Sequence, residues 1–288
     1  MARVSVLIRA RNEEKLLGHT LNALERQSLQ DFEIILVDSG STDRTLEIAQ
    51  EFQRVRIIEI PPHTFTFGYA LNVGTQDARG DIIVNLSAHA VPTGTDFLEA
   101  YLPHFTDPSI AGVYGRQVTL PEHRGLRATL LSAGFGPDTK PDTLVPYYFS
   151  NVNGAVRKSC WEECPFDQTM TGSEDWAWAK AMLERGYRIV YEPKAEVYHS
   201  HDETLIQIFR RARREAVGMK TIDRGLQQRF FGRLTWLCLA RTCMRSVTNH
   251  WQHSLVTLKR PDVALYAVPY RIFLDLGYFF GWKRELHP

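Results

Sequence analysis

Three short polar clusters carry side chains suited to chemistry: Arg11-Asn12-Glu13, Asp38-Ser39-Gly40-Ser41-Thr42-Asp43 and Ser87-Ala88-His89. Each mixes carboxylate, amide, hydroxyl or imidazole groups, and each closes an apolar run of strand length. A fourth cluster, Gly172-Ser173-Glu174-Asp175-Trp176, places two acids at the start of a helical pattern. Acids there are stabilised by the helix dipole, and a carboxylate so placed can also take a proton from a substrate. His199 and His201 follow it, and residues 210–214 read Arg-Arg-Ala-Arg-Arg. Such a basic run either meets phosphates or forms a solvated helix face.

The elements around these clusters say where they meet. Val4–Ile8, Phe32–Val37, Val55–Ile60 and Asp81–Leu86 read as strands. Between them Leu16, Leu17, Leu21 and Leu24, then Leu46–Phe52, then Tyr69–Ala78, read as helices. Strands alternating with helices predict βαβ units and a mostly parallel sheet. In open sheets of this kind ligands bind beyond the carboxyl ends of the strands. The three clusters all follow strands, so they gather on one edge, which is the expected ligand site. Residues 120–146, rich in Gly, Pro, Thr and Asp, read as a long loop or lid, and Tyr147–Val156 as a return to the sheet. Asp175–Arg185 reads as a helix and Tyr187–Tyr191 as a strand; from Glu203 the chain turns helical and basic.

Composition narrows the class. The chain has 288 residues, 44% hydrophobic and 23% charged, ordinary for a soluble globular protein with a sizeable core. Net charge is +1, so no nucleic-acid partner is expected. Cys160 and Cys164, like Cys238 and Cys243, lack the two-residue spacing of a zinc site and read as free thiols of a reducing, cytoplasmic setting. Arg3, Arg9 and Arg11 interrupt any signal-peptide core, and no run of about 18 apolar residues predicts a membrane span.

Five motifs in order carry a resemblance. Val4-Ser5-Val6-Leu7-Ile8 with Arg11-Asn12-Glu13, then Ile35-Leu36-Val37-Asp38-Ser39-Gly40-Ser41-Thr42-Asp43, look like the opening of family 2 glycosyltransferases. Thr66-Phe67-Gly68-Tyr69-Ala70-Leu71-Asn72-Val73-Gly74 is similar to bacterial rhamnosyltransferase-like members. Gly172-Ser173-Glu174-Asp175 and Glu184-Arg185-Gly186-Tyr187-Arg188-Ile189 complete the pattern, which spans about residues 3–215. The resemblance implies a GT-A-like α/β fold with a mixed, mostly parallel sheet flanked by helices. Residues 1–215 would form the catalytic domain and residues 216–288 a helical C-terminal extension.

It also implies an inverting transfer from a nucleotide-diphosphate sugar to a hydroxyl of a glycan or lipid-linked acceptor. Asp175 would be the base; Arg11, Asn12, Glu13, Asp38, Asn72 and Ser87 would bind the donor; Glu174 and Trp176 would shape the acceptor site. Asp38 could equally cap its own turn, and Asn72 could be a satisfied helix residue. Most members place Asp-x-Asp after the fourth strand to bind a divalent metal; here the residues are Ser87-Ala88-His89. Two readings follow. In one, His89 and His199 hold a metal, Mn²⁺ in preference to Mg²⁺, because imidazole suits transition metals better than Mg²⁺. In the other, arginines such as Arg210 and Arg211 neutralise the diphosphate.

Rival functions are a non-catalytic nucleotide-sugar-binding module, suggested by the lost Asp-x-Asp, and a nucleotidyltransferase, which would want a Gly-rich loop with a Lys near the N-terminus. The segments Phe230-Phe231-Gly232-Arg233 and Phe279-Phe280-Gly281-Trp282-Lys283-Arg284 interleave aromatic and basic residues. They predict either peripheral docking on the cytoplasmic membrane face or packing against the catalytic domain or a second subunit of a homodimer.

Overall fold

The computed structural model describes residues 3–119, 146–199, 203–223, 225, 236–252 and 261–283. The expected lid, apart from Pro146, lies outside the described residues, as do His201 and the Phe230–Arg233 segment. The chain divides into two compact units. One holds the sheet and ends after its last long strand; the other holds the C-terminal helices, joined by Thr171–Ser173.

The first unit is built on an eight-stranded sheet. Its strands are β1 (Val4–Ala10), β2 (Phe32–Asp38), β3 (Val55–Glu59), β4 (Ile82–Ser87), β5 (Val91–Pro92), β6 (Ile110–Val118), β7 (Asn153–Arg157) and β8 (Arg188–Tyr198), in the order β3-β2-β1-β4-β7-β6-β8-β5. The first four are mutually parallel, as their βαβ connections require. β7 runs antiparallel to both neighbours, while β6 and β8 are parallel. β1, β2 and β4 are buried on both faces, which explains their unbroken apolar runs.

Helices α1 (Leu17–Glu25), α2 (Thr45–Gln50), α3 (Phe67–Asp77), α4 (Phe97–Tyr101), α5 (Lys158–Glu163) and α6 (Glu174–Glu184) belong to this unit. The core joins Leu17, Leu21 and Leu24 of α1 to Val6 and Ile8 of β1, Ile34 and Leu36 of β2, and Val84 and Leu86 of β4. α3 starts where Thr66 Oγ1 accepts the Tyr69 N–H at 3.0 Å, an N-cap. α6 stops at Gly186, whose φ of +87° few other residues adopt. Cys160, Cys164 and Cys243 are free.

The second unit contains α7 (Leu205–Ile222), α8 (Trp236–Gln252) and α9 (Pro261–Lys283). The expected domain boundary at 215/216 falls inside α7, whose capping box of Thr204 and Gln207 starts a single uninterrupted helix. The unit boundary therefore lies before α7. Gly277 and Gly281 let α9 approach the α7 backbone at Phe209 and Arg213. Phe279 and Trp282 are buried, and Phe280 is exposed. Two of the three aromatics of the C-terminal run are thus taken up by packing within this unit.

Candidate functional site

The carboxyl ends of β1, β2 and β4 lie side by side: Ala10 pairs with Asp38, and Arg9 with Ser87. The loops beyond them interlock, as the strand pattern predicts. Asn12, at φ +56°, accepts the Thr42 N–H on Oδ1 at 2.8 Å and donates its own N–H to Ser41 Oγ at 2.9 Å. Asp38 Oδ1 accepts the Gly40 and Ser41 N–H groups at 2.8 and 2.9 Å, and the side chain is almost wholly buried. Asp38 thus caps its own turn. Asn12 braces the same turn, and Arg11 is exposed at the mouth.

Next to this turn stands a pair of imidazoles. His89 and His199 stack with centroids 5.1 Å apart and ring planes 15° from parallel. His89 Nδ1 faces both carboxylate oxygens of Glu13, at 3.0 and 3.1 Å. His199 Nδ1 faces Gln117 Oε1 at 3.0 Å, while Gln117 Nε2 donates to Ser150 Oγ at 3.0 Å. Against such acceptors each Nδ1 carries the proton, so in the neutral ring the lone pair sits on Nε2. A carboxylate or amide oxygen behind the ring is the usual support of a metal-ligating histidine. Imidazole nitrogens supported in this way are the donor type a transition metal takes. Among the described residues no three His, Cys, Asp or Glu side chains form a metal-holding group, so further ligands would come from the diphosphate and water. Ser87 Oγ lies 3.4 Å from His89 Nε2. Glu13, expected along the nucleoside, is the partner of His89.

The acid pair lies at the first turn of α6, after Ser173 at φ +63°. Asp175 Oδ1 accepts the Trp176 N–H at 2.9 Å, and Oδ2 accepts the Asn151 N–H at 3.3 Å. Burial, then the neighbouring Glu174 charge, pushes Asp175 up to about 8 against the pull of those N–H groups and of Arg9. Glu174 is 4% exposed and accepts the Asn151 Nδ2–H at 3.3 Å. Expected at the acceptor site, Glu174 is held by the side chain of Asn151, whose backbone N–H reaches Asp175. Trp176 is half-buried against Tyr148, ring centroids 5.8 Å apart.

Residues 150–152 tie the two pairs together. Ser150 receives Gln117, Asn151 holds Asp175 and Glu174 and accepts Asn85 Nδ2–H at 2.8 Å, and Val152 accepts the Ser87 N–H at 2.8 Å. Gln117 and Asn151 escaped the sequence reading. Their only signal would have been an amide near an aromatic run, which is too common to single out.

Asn72, expected in the donor pocket, commits its side chain to Trp161 and Phe166. Its Oδ1 accepts Trp161 Nε1–H at 2.8 Å and the Phe166 N–H at 3.0 Å, and its Nδ2 donates to the Phe166 carbonyl at 2.8 Å. It is a buried latch for residues 161–166. Asn72→Ala strands these groups at about 1–3 kcal/mol each. At about 2–4 °C per kcal/mol, a melting temperature lower by at least about 6 °C is expected, with donor affinity unchanged. Weakened donor binding at unchanged melting temperature would return Asn72 to the donor pocket.

On α7, in the second unit, Arg211 is held by Glu203 at 3.0 Å and Glu215 at 2.9 Å, and Tyr278 Oη donates to Glu215 at 2.7 Å. Its guanidinium is committed within that unit, whereas Arg210 is exposed.

Known proteins share the sequence pattern and the fold of this chain. The sequence pattern of the family "Glycosyl transferase family 2" matches residues 5–150. The O-antigen chain rhamnosyltransferase RfbN of Salmonella typhimurium is 28% identical over 221 residues, 73% of this chain and 70% of that protein. WbaN of Salmonella anatum, also an O-antigen chain rhamnosyltransferase, is 32% identical over 204 residues, 66% of this chain and 63% of its own length. Among solved structures, the mannosyltransferase PcManGT of Pyrobaculum calidifontis, in complex with GDP-Man and Mn²⁺, aligns with a TM-score of 0.66 at 20% identity. That alignment covers 98% of this chain and 86% of the other. At that identity the likeness is one of fold, and the fold is GT-A.

Proposed function

The chain belongs to glycosyl transferase family 2, and from that premise we propose that it moves one sugar from a nucleotide-diphosphate donor to a hydroxyl of a glycan or lipid-linked acceptor, with inversion. The observation that carries the reading is the half-buried Asp175 at the start of α6, held by two backbone N–H groups and raised toward neutrality. A base works best when its pKa lies near the working pH. Asp175 takes the acceptor proton as the oxygen attacks the anomeric carbon opposite the leaving diphosphate. Both relatives are named rhamnosyltransferases, which supports rhamnose as the sugar; thymidine diphosphate is the carrier we assign to it. Arg11 and the Asn12–Asp38 turn lie along the nucleoside, with Ser87 beside it; Trp176 offers an aromatic face to the acceptor. His89 and His199 would hold a divalent metal, which supplies positive charge to the diphosphate when bound.

Single-turnover product analysis tests this reading against its rivals. Sugar transfer with release of the nucleoside diphosphate is expected. Donor binding without turnover would point to a binding module, and pyrophosphate release to a nucleotidyltransferase.

Lipid-linked acceptors call for peripheral membrane contact. No described helix is long and apolar enough to cross a membrane. Phe279 and Trp282 are buried, but Met244, Trp251 and Phe280 are exposed, with Arg241 and Arg245 on the same helix as Met244. Aromatic and cationic side chains together suit a lipid interface. In liposome flotation the protein should rise with anionic vesicles at low salt and be released by high salt. Protein that stays at the bottom at low salt leaves only the packing role.

A further inference from the structure

The acid pair has a cationic neighbour outside every motif. Arg9 is the penultimate residue of β1, in register with Val37 of β2 and Ser87 of β4. Its side chain is 14% exposed, with Nη1 3.7 Å from Glu174 Oε1. The guanidinium carbon stands 5.0 Å from the centre of the Phe67 ring. Nη1 is buried and makes no hydrogen bond. A buried guanidinium with an unmet donor costs free energy, so its place calls for a compensating role.

Electrostatics supplies one. Two acids at successive positions repel each other, and away from water the repulsion is screened weakly. Arg9 answers one of the two charges. The charged groups facing Asp175 are Glu174 on its own helix and Arg9 on β1, with the Asn151 and Trp176 N–H groups completing its surroundings. The Phe67 face and the strand backbone fix the guanidinium in place, so its charge acts at a constant distance.

We propose that Arg9 is a positioning residue that, through Glu174, sets the pH at which Asp175 becomes available as the base. The inference rests on the reading of Asp175 as that base. Neutralising Arg9 leaves both acids uncompensated, so Asp175 holds its proton to higher pH. The sign is therefore an upward move of the acid limb of kcat/KM.

The test is the pH profile of kcat/KM for wild type, Arg9→Met, Arg9→Gln, Arg9→Lys and Asp175→Asn. In Arg9→Met and Arg9→Gln the acid limb should move up by about one pH unit, a tenfold loss at neutral pH recovered in alkali. Arg9→Lys, which keeps the charge, should restore most of the wild-type profile. Donor affinity by calorimetry should stay unchanged in all three Arg9 variants. A loss equal at every pH, or a limb that stays in place in whichever neutral variant folds, overturns the inference. Asp175→Asn separates the two readings. If it turns over normally, the base reading fails. If it is inactive while the Arg9 variants keep the wild-type limb, only the role of Arg9 fails.

Discussion

Asp175→Asn should lower the rate of sugar transfer by roughly 10²–10⁴-fold, the usual worth of a positioned base. Donor affinity and melting temperature should change little. The amide keeps the shape of the carboxylate, and its oxygen can still accept the Asn151 or Trp176 N–H. What it loses is the capacity to take a proton. Wild-type kcat/KM should also rise as pH approaches about 8, because burial and Glu174 hold Asp175 protonated below that value. In Asp175→Asn this rise should disappear, leaving a low, flat profile. Near-wild-type turnover in the variant would falsify the base assignment.

The parallel half of the sheet was legible because β1, β2 and β4 are buried on both faces and so read as unbroken apolar runs. The other half was legible in part: the expected return over Tyr147–Val156 holds β7, Asn153–Arg157, but β6 was missed. β6, Ile-Ala-Gly-Val-Tyr-Gly-Arg-Gln-Val, carries two glycines that blur any period. Gly112 makes room for Phe149 and Trp178, and Gly115 for Ala195, all contributed by distant segments. β8 was expected over Tyr187–Tyr191 and runs to Tyr198, because its far end pairs with β5 as well as β6. The same limit applies to the site. The positions of the acid pair and of His89 follow from motifs tied to local turns. The partners that orient them do not: Gln117 reaches His199 across 82 residues, and Glu13 reaches His89 across 76. Asn72 shows how a motif residue can misdirect. Its place in the pattern is local, but its three hydrogen bonds go to residues about 90 positions further along.

Chelation should lower transfer activity by roughly 10²-fold or more, since neutralising charge on a leaving diphosphate is worth several kcal/mol. Mn²⁺ should restore activity better than Mg²⁺. His89 stands where the family places a carboxylate, and an imidazole there offers a softer ligand with one negative charge fewer. Glu13 returns part of that charge through His89 Nδ1, at 3.0 Å, and Gln117 supports His199 in the same way. Among the described residues two histidines are on offer, so metal affinity should be low until the donor adds its phosphate oxygens. Calorimetry with Mn²⁺, with and without thymidine diphosphate, reads this coupling apart from catalysis. His89→Asp should shift the preference toward Mg²⁺. Glu13→Ala should weaken Mn²⁺ binding by roughly 10–100-fold, as loss of a ligand's supporting partner does. Glu13→Gln, whose amide oxygen can still accept the Nδ1 proton, should retain most of it. Full wild-type activity in EDTA would remove the metal role from His89 and His199.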